Sequence, residues 1–458
     1  MKLTSRYILT LVMILAAFAF GASLSPGLSA QAVPQKQAQG DANVQPPPAS
    51  AANSADAADS SSADQNRLTA MASAEPQGST TAAPSAAPAG QDQNSTAPAT
   101  PTPLPTPAMT APLSTAAPAH TFEAGPFGTV AVTGILSGMG LVQNNWIPGD
   151  QSSHWDLSNG QVFLQRTTGW WQFYLQAGAY NIPDLGLPFI STSKTLSNFW
   201  GPLPVGYLKL VKGGFSAEIG ELPTLIGAEY TFDFENLNIE RGVLWNQENA
   251  INRGIQLNEA YKKLSLSLSW NDGFYSNRYT WIFGSIAYAF NSANTLSFVA
   301  GGNAGATKVQ TLATPVQNNS SIYNIIYTYS HGSWYIQPYY QYTSVPTNAK
   351  IGITKGASTS GGALLFNYNF KGGISLALRP EYISSNGTLA NGAVNLLYGP
   401  GSNAFAFTVT PTYQKGGFFV RADYSVVDAR SFTPGDAFGA LGTKGTQNRG
   451  VIEAGFMF

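Results

Sequence analysis

Apolar and polar residues alternate along the chain after Phe122, in successive segments of about eight to twelve residues. In segment 264–270 (LSLSLSW) every second side chain is apolar, so an extended strand there has one apolar and one polar face. Segments 172–177 and 405–410 repeat the pattern. Tilted strands of about 9–11 residues are long enough to cross a bilayer. The pattern predicts a series of half-buried strands, although any one of them is equally typical of a soluble sheet.

The connections between these segments distinguish a membrane-spanning sheet from a soluble one, because they are alternately short and long. The short ones are Thr168-Gly169, Lys212-Gly213-Gly214, Tyr261-Lys262-Lys263, Asn291 to Asn294, His331-Gly332-Ser333, Lys371-Gly372-Gly373 and Gln414 to Gly417. The long ones are rich in Asn, Gly, Ser and Pro and are centred near Gly149, Ser191, Glu235, Tyr275, Gln310, Thr347, Ala390 and Gly435. Transmembrane barrels have short periplasmic turns, long outer loops and an even strand count. The chain is therefore predicted to be all-β, an antiparallel transmembrane β-barrel of about 16 strands, with about 14 or about 18 left open.

The last ten residues form the clearest single strand. Ile452, Ala454 and Phe456 alternate with Glu453, Gly455 and Met457, and the chain ends on Phe458. This predicts a closing strand with one lipid face and one lumen face. An aromatic C-terminal residue on such a strand is expected to be the signal that the barrel-assembly machinery of a Gram-negative outer membrane recognises, with Phe458 and Phe456 as its residues.

Composition agrees with a surface that meets lipid. Of the 458 residues 10% are charged, 12% are aromatic and none is cysteine. Soluble proteins carry about 25% charged residues. No run of about 18 apolar residues follows the N-terminus, which excludes transmembrane helices there. The absence of cysteine excludes disulfides, thiolate metal sites and a lipid-modified N-terminal cysteine.

The first 120 residues differ from the rest. Met1 to about Ala32 is predicted to be a signal peptide, with Lys2 and Arg6 before a short apolar core; a membrane anchor is the less favoured alternative. Residues 33–120 are rich in Ala, Pro, Ser and Thr and lack Phe, Tyr and Trp, which predicts a disordered periplasmic tail. It is expected to be a passive leader, with peptidoglycan contact as the alternative. The barrel is then 121–458.

The third long connection, Glu221 to about Asn252, is too long for a simple link, and loops beyond about 15 residues are usually functional or disordered. Phe234, Leu237, Arg241 and Leu244 fall at helical spacing after a possible cap at Asp233, which predicts a short helix. Its apolar face is expected to pack on the inner wall beside Tyr207, Phe283 and Tyr335 and to narrow the lumen. A cap over the outer mouth is the alternative.

Within this region the sequence resembles a known family. The segment Leu222–Gln256, and above all Gly227, Glu229, Arg241 to Trp245 and Arg253 to Gln256, is similar to β-barrel porins of the OmpL-like group. The resemblance extends weakly over 122–458 and leaves out the tail. It implies an outer-membrane channel for small solutes and supplies no particular solute.

Charges at lumen-facing positions are candidates for a pore constriction. By alternation they are Lys209, Glu218, Arg379, Glu381, Arg421, Asp423, Arg449 and Glu453, joined by Glu229, Asp233, Glu235, Glu240 and Arg241 if the third loop folds inward. The expected constriction consists of Asp233, Glu235, Glu240, Arg241, Arg379, Glu381, Arg421 and Asp423. We hypothesise that Glu235 and Glu240 face Arg379 and Arg421 and set a transverse field across the pore. The alternative is that these charges pair locally or are solvated.

Other functions are poorly supported by the residues present. The histidines, His120, His154 and His331, are expected in the tail, an outer loop and a turn, too scattered for a catalytic site. Metal-ligand spacing and phosphate loops are absent from the sequence, so no cofactor is expected, and a pI near 6.3 argues against nucleic acid. The expected function is a porin for passive diffusion of small hydrophilic solutes or ions, with outer-membrane lipid as its surroundings. An anchor or adhesin with a plugged barrel is the alternative, and an autotransporter is less favoured.

Overall fold

The alternating segments form long antiparallel strands. The computed structural model of the chain describes residues 113–115, 120–308 and 316–458. Within them the strands are β1 (His120–Glu123), β2 (Thr129–Gln143), β3 (Ser153–Arg166), β4 (Trp171–Tyr180), β5 (Val205–Lys212), β6 (Phe215–Pro223), β7 (Ile251–Tyr261), β8 (Leu264–Asn271), β9 (Trp281–Asn291), β10 (Asn294–Asn303), β11 (Ser321–His331), β12 (Trp334–Val345), β13 (Ala357–Asn369), β14 (Ile374–Ser385), β15 (Asn403–Lys415), β16 (Phe418–Arg430) and β17 (Thr446–Met457).

The sheet closes on itself. Each strand from β2 to β16 pairs with the next along the chain, and β17 pairs with β2, placing Ile452 opposite Gly140. Phe458 and Gly134 then exchange two backbone hydrogen bonds of 3.0 Å. β1 is an extra strand that pairs with the first residues of β2. In the described residues the result is a closed antiparallel barrel of 16 strands, as predicted, with one additional short strand.

The connections follow the predicted alternation of short turns and long loops. Seven short turns lie at one end of the described barrel, and Gly332 and Gly416 have φ of +59° in two of them, a conformation that favours glycine. The opposite end carries the loops L1 (144–152), L2 (181–204), L3 (224–250), L4 (272–280), L5 (304–320), L6 (346–356), L7 (386–402) and L8 (431–445). Residues 309–315 of L5 lie outside the described residues.

The two faces of the strands differ as the alternation predicts. Ile452 is 50% exposed on the outer face, whereas Glu453 beside it is fully buried on the inner face. Large aromatic side chains are exposed at strand ends, among them Trp155, Trp170 and Phe418. Such positions are typical of the aromatic girdles at membrane interfaces.

The prediction of a helix in L3 is wrong. The structure has only short 3-10 turns there, at Asp233–Glu235 and Trp245–Gln247. Backbone donors that a helix would use internally bond to the barrel wall instead: the N–H groups of Ile239 and Glu240 both donate to Asp423 Oδ2. Side chains from the wall therefore replace the helical hydrogen bonds.

Helices are few elsewhere as well. In L2 the described residues form one α-helix, α1 (Thr192–Asn198). No helix in the described parts of the chain is long and apolar enough to cross a membrane.

A fragment of the tail contacts the turn end of the barrel. Leu113 is buried in a cluster with Ile135 and Met457. Ser114 donates its N–H to Gln414 Oε1 at 2.9 Å and accepts from Gln414 Nε2 at 2.6 Å. The signal peptide and the rest of residues 33–119 lie outside the described residues, so their cleavage and disorder stay predictions.

Candidate functional site: the third loop inside the barrel

L3 lies against the inner wall. It begins after Pro223 and ends before Ile251, and almost every residue from Ile226 to Ala250 is buried. A loop capping the outer mouth would leave one side exposed to solvent. The burial of L3 and its contacts with lumen-facing side chains therefore describe a segment folded into the lumen.

Apolar side chains fill the space between L3 and the wall. The rings of Phe234 and Phe163 lie 5.6 Å apart, and those of Phe232 and Tyr180 lie 5.1 Å apart, edge to face. Farther along, Leu244 belongs to a cluster that includes the wall residue Phe283. Tyr335 packs against that cluster, and Tyr207 packs against the one that holds Phe234.

Arg379 on β14 binds one carboxylate of L3, one carboxylate of its own strand and the backbone of L3. Its Nη1 lies 2.5 Å from Glu229 Oε1, and its Nε lies 2.9 Å from Glu381 Oε1. The same Nη1 donates to the backbone oxygen of Glu240 at 2.6 Å. The three charged side chains are buried, so the loss of any one of them would leave a buried charge without a full set of partners.

A second group of charges lies on β16 and β17. Arg421 Nη2 is 2.7 Å from Glu453 Oε2, and Arg421 Nη1 donates to the Asn236 backbone oxygen at 3.1 Å. Asp423 accepts the two L3 backbone N–H groups described above and the hydroxyl of Thr410. This part of the wall thus offers both donors and acceptors to the backbone of L3.

Glu240 carries the direct ion pair between L3 and β17. Its Oε1 lies 2.8 Å from Arg449 Nη1, and its Oε2 accepts from Ser425 at 2.9 Å. Arg241, the next residue, pairs with Asp184 of L2 at 2.8 Å and lies over the Trp245 ring. Adjacent residues of L3 therefore bind the wall on one side and L2 on the other.

The hypothesis that Glu235 and Glu240 face Arg379 and Arg421 is wrong for the carboxylate of Glu240 and stays a hypothesis for Glu235. Glu240 pairs with Arg449, and Glu235 accepts a hydrogen bond of 2.9 Å from the Phe232 N–H within L3. Arg379 and Arg421 donate to backbone carbonyls of L3, and each also pairs with a carboxylate of the wall, Glu381 or Glu453. Arg379 pairs in addition with Glu229 of L3.

The two wall carboxylates that pair with Arg379 and Arg421 could have been found from the sequence. Glu381 lies two residues after Arg379, so both side chains share a face of the strand. Glu453 lies directly opposite Arg421 in the register of β16 and β17. Glu229, outside the expected constriction set, has no such local signal, because only the folding of L3 brings it to Arg379.

Two acids of L3 are held in surroundings that favour the protonated form. Burial raises the pKa of Asp233 to about 7, with the negative charge of Glu453 adding to the effect. Burial likewise raises the pKa of Glu235 to about 8. Asp233 accepts from Asn159 Nδ2 at 2.6 Å, so it too contacts the wall.

The wall away from these charges is more open. Lys209 on β5 pairs with Glu218 on β6 at 2.9 Å, and the Lys209 side chain keeps 28% of its surface exposed. Small lumen-facing side chains on β8, β9 and β10 are only partly buried or exposed; they include Ser265, Ser285 and Ser297. We call the part of the inner face of β5–β10 that holds these residues, toward the short turns, the open wall, and the inner face of β14–β17 the charged wall. Toward the long loops, Ser269, Trp281 and Phe283 of β8 and β9 are buried.

The histidines are dispersed over the barrel. His120 lies in β1, His154 in β3 and His331 at the end of β11, whereas His120 was expected in the tail and His154 in an outer loop. His154 Nε2 lies 2.7 Å from Asp150 Oδ1. In the residues that the structure describes, no group of three or more His, Cys, Asp or Glu side chains is arranged to hold a metal ion.

Comparisons with known proteins identify relatives of the fold. The family model described as Putative beta-barrel porin-2, OmpL-like, matches residues 129–458. The comparison with curated protein sequences finds no match.

Among solved structures, the chain is similar to an anion-selective porin from Comamonas acidovorans, at 12% identity and a TM-score of 0.53 over 72% of this chain and 99% of that one. It is also similar to the outer membrane channel DcaP of Acinetobacter baumannii, at 10% identity and a TM-score of 0.49 over 74% and 99%. At such identities the first likeness shows the fold alone.

The Glu240–Arg449 pair is expected to contribute far more to the free energy of unfolding than an exposed ion pair does. Arg449→Met leaves a buried carboxylate without its main partner and should lower the free energy of unfolding by about 3–5 kcal/mol. Combining it with Glu240→Gln should cost clearly less than the sum of the two single changes, as measured by urea unfolding in lipid vesicles. Arg430→Met, which removes the exposed partner of Asp428, is the control and should cost less than about 1 kcal/mol. Additive costs for Glu240 and Arg449 would contradict the coupling.

The raised pKa of Glu235 predicts that the free energy of unfolding depends on pH. The folded protein holds a proton on Glu235 up to about pH 8, whereas the unfolded chain loses it near pH 4.5. The free energy of unfolding should therefore fall as pH rises through that window, by up to about 1.4 kcal/mol per pH unit. Glu235→Gln should make this slope shallower by up to about 1.4 kcal/mol per pH unit in the same unfolding assay. The remaining slope belongs to other buried acids whose pKa is raised, among them Asp233 and Glu248. An unchanged slope would show that Glu235 ionises normally.

Proposed function

Because the chain belongs to the family Putative beta-barrel porin-2, OmpL-like, we propose that it is a porin through which small hydrophilic solutes or ions diffuse passively, in a lumen narrowed by L3. The family and the closed barrel of 16 strands make it a multi-pass β-barrel protein of the outer membrane, in contact with lipid. The identity of the solutes and the narrowing by L3 belong to the proposal.

The observation that carries the proposal is the difference between the two sides of the lumen. The charged wall is covered by L3 and its side chains are buried, as for Arg379 and Arg421. The open wall keeps small polar side chains and the Lys209–Glu218 pair in partial contact with solvent. A lumen surface that is polar and partly exposed, in a barrel that also holds a folded-in loop, is the arrangement expected of a hydrophilic passage with a constriction.

In this proposal the eight residues of the expected constriction act mainly by holding L3 in position. Arg241, Arg379 and Arg421 each pair with a carboxylate, so their charges are largely matched. They hold L3 in place and set the width of the passage. Asp233, Glu235, Glu240, Glu381 and Asp423 complete that support. Lys209 and Glu218 belong to the open wall, and as an opposed pair they favour a weak ion preference.

Two further partners remain predictions. Phe458 continues the pairing of β17 with β2, and the Phe456 and Phe458 rings lie 6.3 Å apart, which suits a terminal strand presented to the barrel-assembly machinery. Peptidoglycan contact by the tail stays the alternative to a passive leader.

One observation favours the alternative of a plugged barrel. Leu113 is buried among side chains at the turn end, beside Ile135 and Met457. A tail held there would obstruct that mouth of the lumen and leave the protein as an anchor or adhesin.

Single-channel conductance in planar bilayers tests the proposal. The mature protein should give steady open steps, and replacing residues 227–249 with a short Gly-Ser linker should raise the step size several-fold, because the lumen loses its obstruction. Shortening L6 by residues 349–352, most of which are exposed, is the control and should leave the steps unchanged. A salt gradient across the same bilayer reads the ion preference.

The outcomes separate the alternatives. Equal steps with and without L3 would contradict a constriction by this loop. The plugged barrel would be supported if inserted, heat-modifiable wild-type protein showed no conductance and the protein without residues 33–119 did conduct. Silence from every variant would contradict the porin function.

A further inference from the structure

A short piece of the N-terminal segment makes defined contacts inside the turn-end mouth of the barrel. The Leu113 side chain is 3% exposed and belongs to an apolar cluster that includes Ile135, Phe419 and Met457. Ile135 faces the lumen, because the next residue of β2, Leu136, is exposed on the outer face. The leucine therefore fills an apolar recess on the lumen side of the wall.

The next residue is bound through its backbone. The Ser114 N–H donates to Gln414 Oε1 at 2.9 Å, and Gln414 Nε2 donates to the Ser114 carbonyl oxygen at 2.6 Å. One side-chain amide thus satisfies both backbone groups of Ser114, as a neighbouring strand would. The Ser114 side chain is exposed. We call Leu113 and Ser114 the latch, and we call the four wall residues of these contacts its seat: Ile135, Gln414, Phe419 and Met457.

The latch is tethered close to its seat. His120, seven residues after Leu113, begins β1 and lies opposite Val132 of β2, and Glu123 lies opposite Thr129. This pairing fixes the chain to the rim of the barrel independently of the latch. A short tether keeps a released segment at a high effective concentration beside its binding site. The latch can therefore return to its seat readily, even if the contact itself is weak.

The contact is small enough to open. It consists of one buried leucine and two hydrogen bonds, and forming it orders the backbone of both latch residues. The stabilisation from these interactions is similar in size to the conformational entropy that is lost. Neither state then dominates strongly, so the bound and released states are both expected to be populated.

The seat lies on the side of the lumen that L3 already fills. Three of its four residues belong to β15, β16 and β17, the strands of the charged wall. The apolar cluster that holds Leu113 also includes Phe163 of β3 and Phe234 of L3. The packing that begins at L3 thus continues to the turn-end mouth. Residues 33–112 of the mature chain are attached to the latch at this mouth.

We propose that the latch binds its seat reversibly and that the bound segment narrows the turn-end mouth of the pore. The inference rests on the proposed porin function, to which it adds a regulated inner opening. It differs from the plugged barrel, because solutes continue to pass along the open wall while the latch is bound. Release of the latch widens the mouth.

Cysteine labelling of the mature barrel in detergent tests whether the latch is bound. The chain has no cysteine, so a single introduced thiol is the only one that can react. Leu113→Cys should react with a maleimide at least about tenfold more slowly than Ser114→Cys, because Leu113 is buried and Ser114 is exposed. Adding Gln414→Ala to Leu113→Cys should raise its labelling rate several-fold. Gln172→Ala, which removes a side chain bonded to Gly169 of its own turn, is the control and should leave the rate unchanged.

Single-channel recording tests whether the bound latch narrows the pore. The wild-type mature protein should switch between two open levels, the lower one with the latch bound. Leu113→Asp places a charge against the apolar seat, so this variant should remain at the higher level. Ser114→Asp adds the same charge to an exposed side chain and keeps the backbone hydrogen bonds. It is the matched control and should switch as the wild type does.

Several results would overturn the proposal. Equal labelling rates for Leu113→Cys and Ser114→Cys would show that the latch is not bound. Slow labelling of Leu113→Cys, together with the same open levels in the wild type and Leu113→Asp, would contradict the narrowing. A Leu113→Cys thiol that never reacts, with one low level in the wild type, would contradict reversible release.

The labelling requires no ion flow, so this proposal and the porin function fail separately. A protein that conducts at one level in every variant keeps the porin function and loses the regulated opening. A protein that never conducts loses the porin function and the narrowing with it, while labelling still decides whether the latch is bound.

Discussion

In the described part of the chain, four arginines with almost no contact with water, Arg241, Arg379, Arg421 and Arg449, each lie beside a carboxylate. An ion buried without a partner costs several kcal/mol, so each pairing is a condition for the arrangement around it. Arg241 and Arg449 bind L3 to L2 and to β17, while Arg379 and Arg421 also donate to the backbone of L3. The position of L3 against the wall depends on these pairs.

The barrel itself follows from features that are local in sequence. Alternation of apolar and polar residues determines which face of each strand meets lipid, and short turns such as those at Gly332 and Gly416 show where strands reverse. A closed barrel then follows because every strand edge in a membrane needs a partner. These rules act over a few residues at a time, which is why 16 strands could be predicted from one sequence.

The interior of the lumen was less predictable. Alternation placed Arg379, Arg421 and Asp423 on the inner face correctly, but it says nothing about which neighbour each one contacts. The helix expected after Asp233 does not form, because Asp423 takes the N–H groups of Ile239 and Glu240. Such contacts join residues nearly two hundred positions apart.

Hydrogen–deuterium exchange of the barrel in lipid vesicles tests most directly whether L3 is a fixed part of the interior. Amides of residues 226–250 should exchange as slowly as those of the strands, because they are buried and several bond to wall side chains. Those of residues 349–352 in L6 should exchange quickly. If L3 exchanged as fast as L6, the loop would be open to solvent, and the wall charges could not hold it across the lumen.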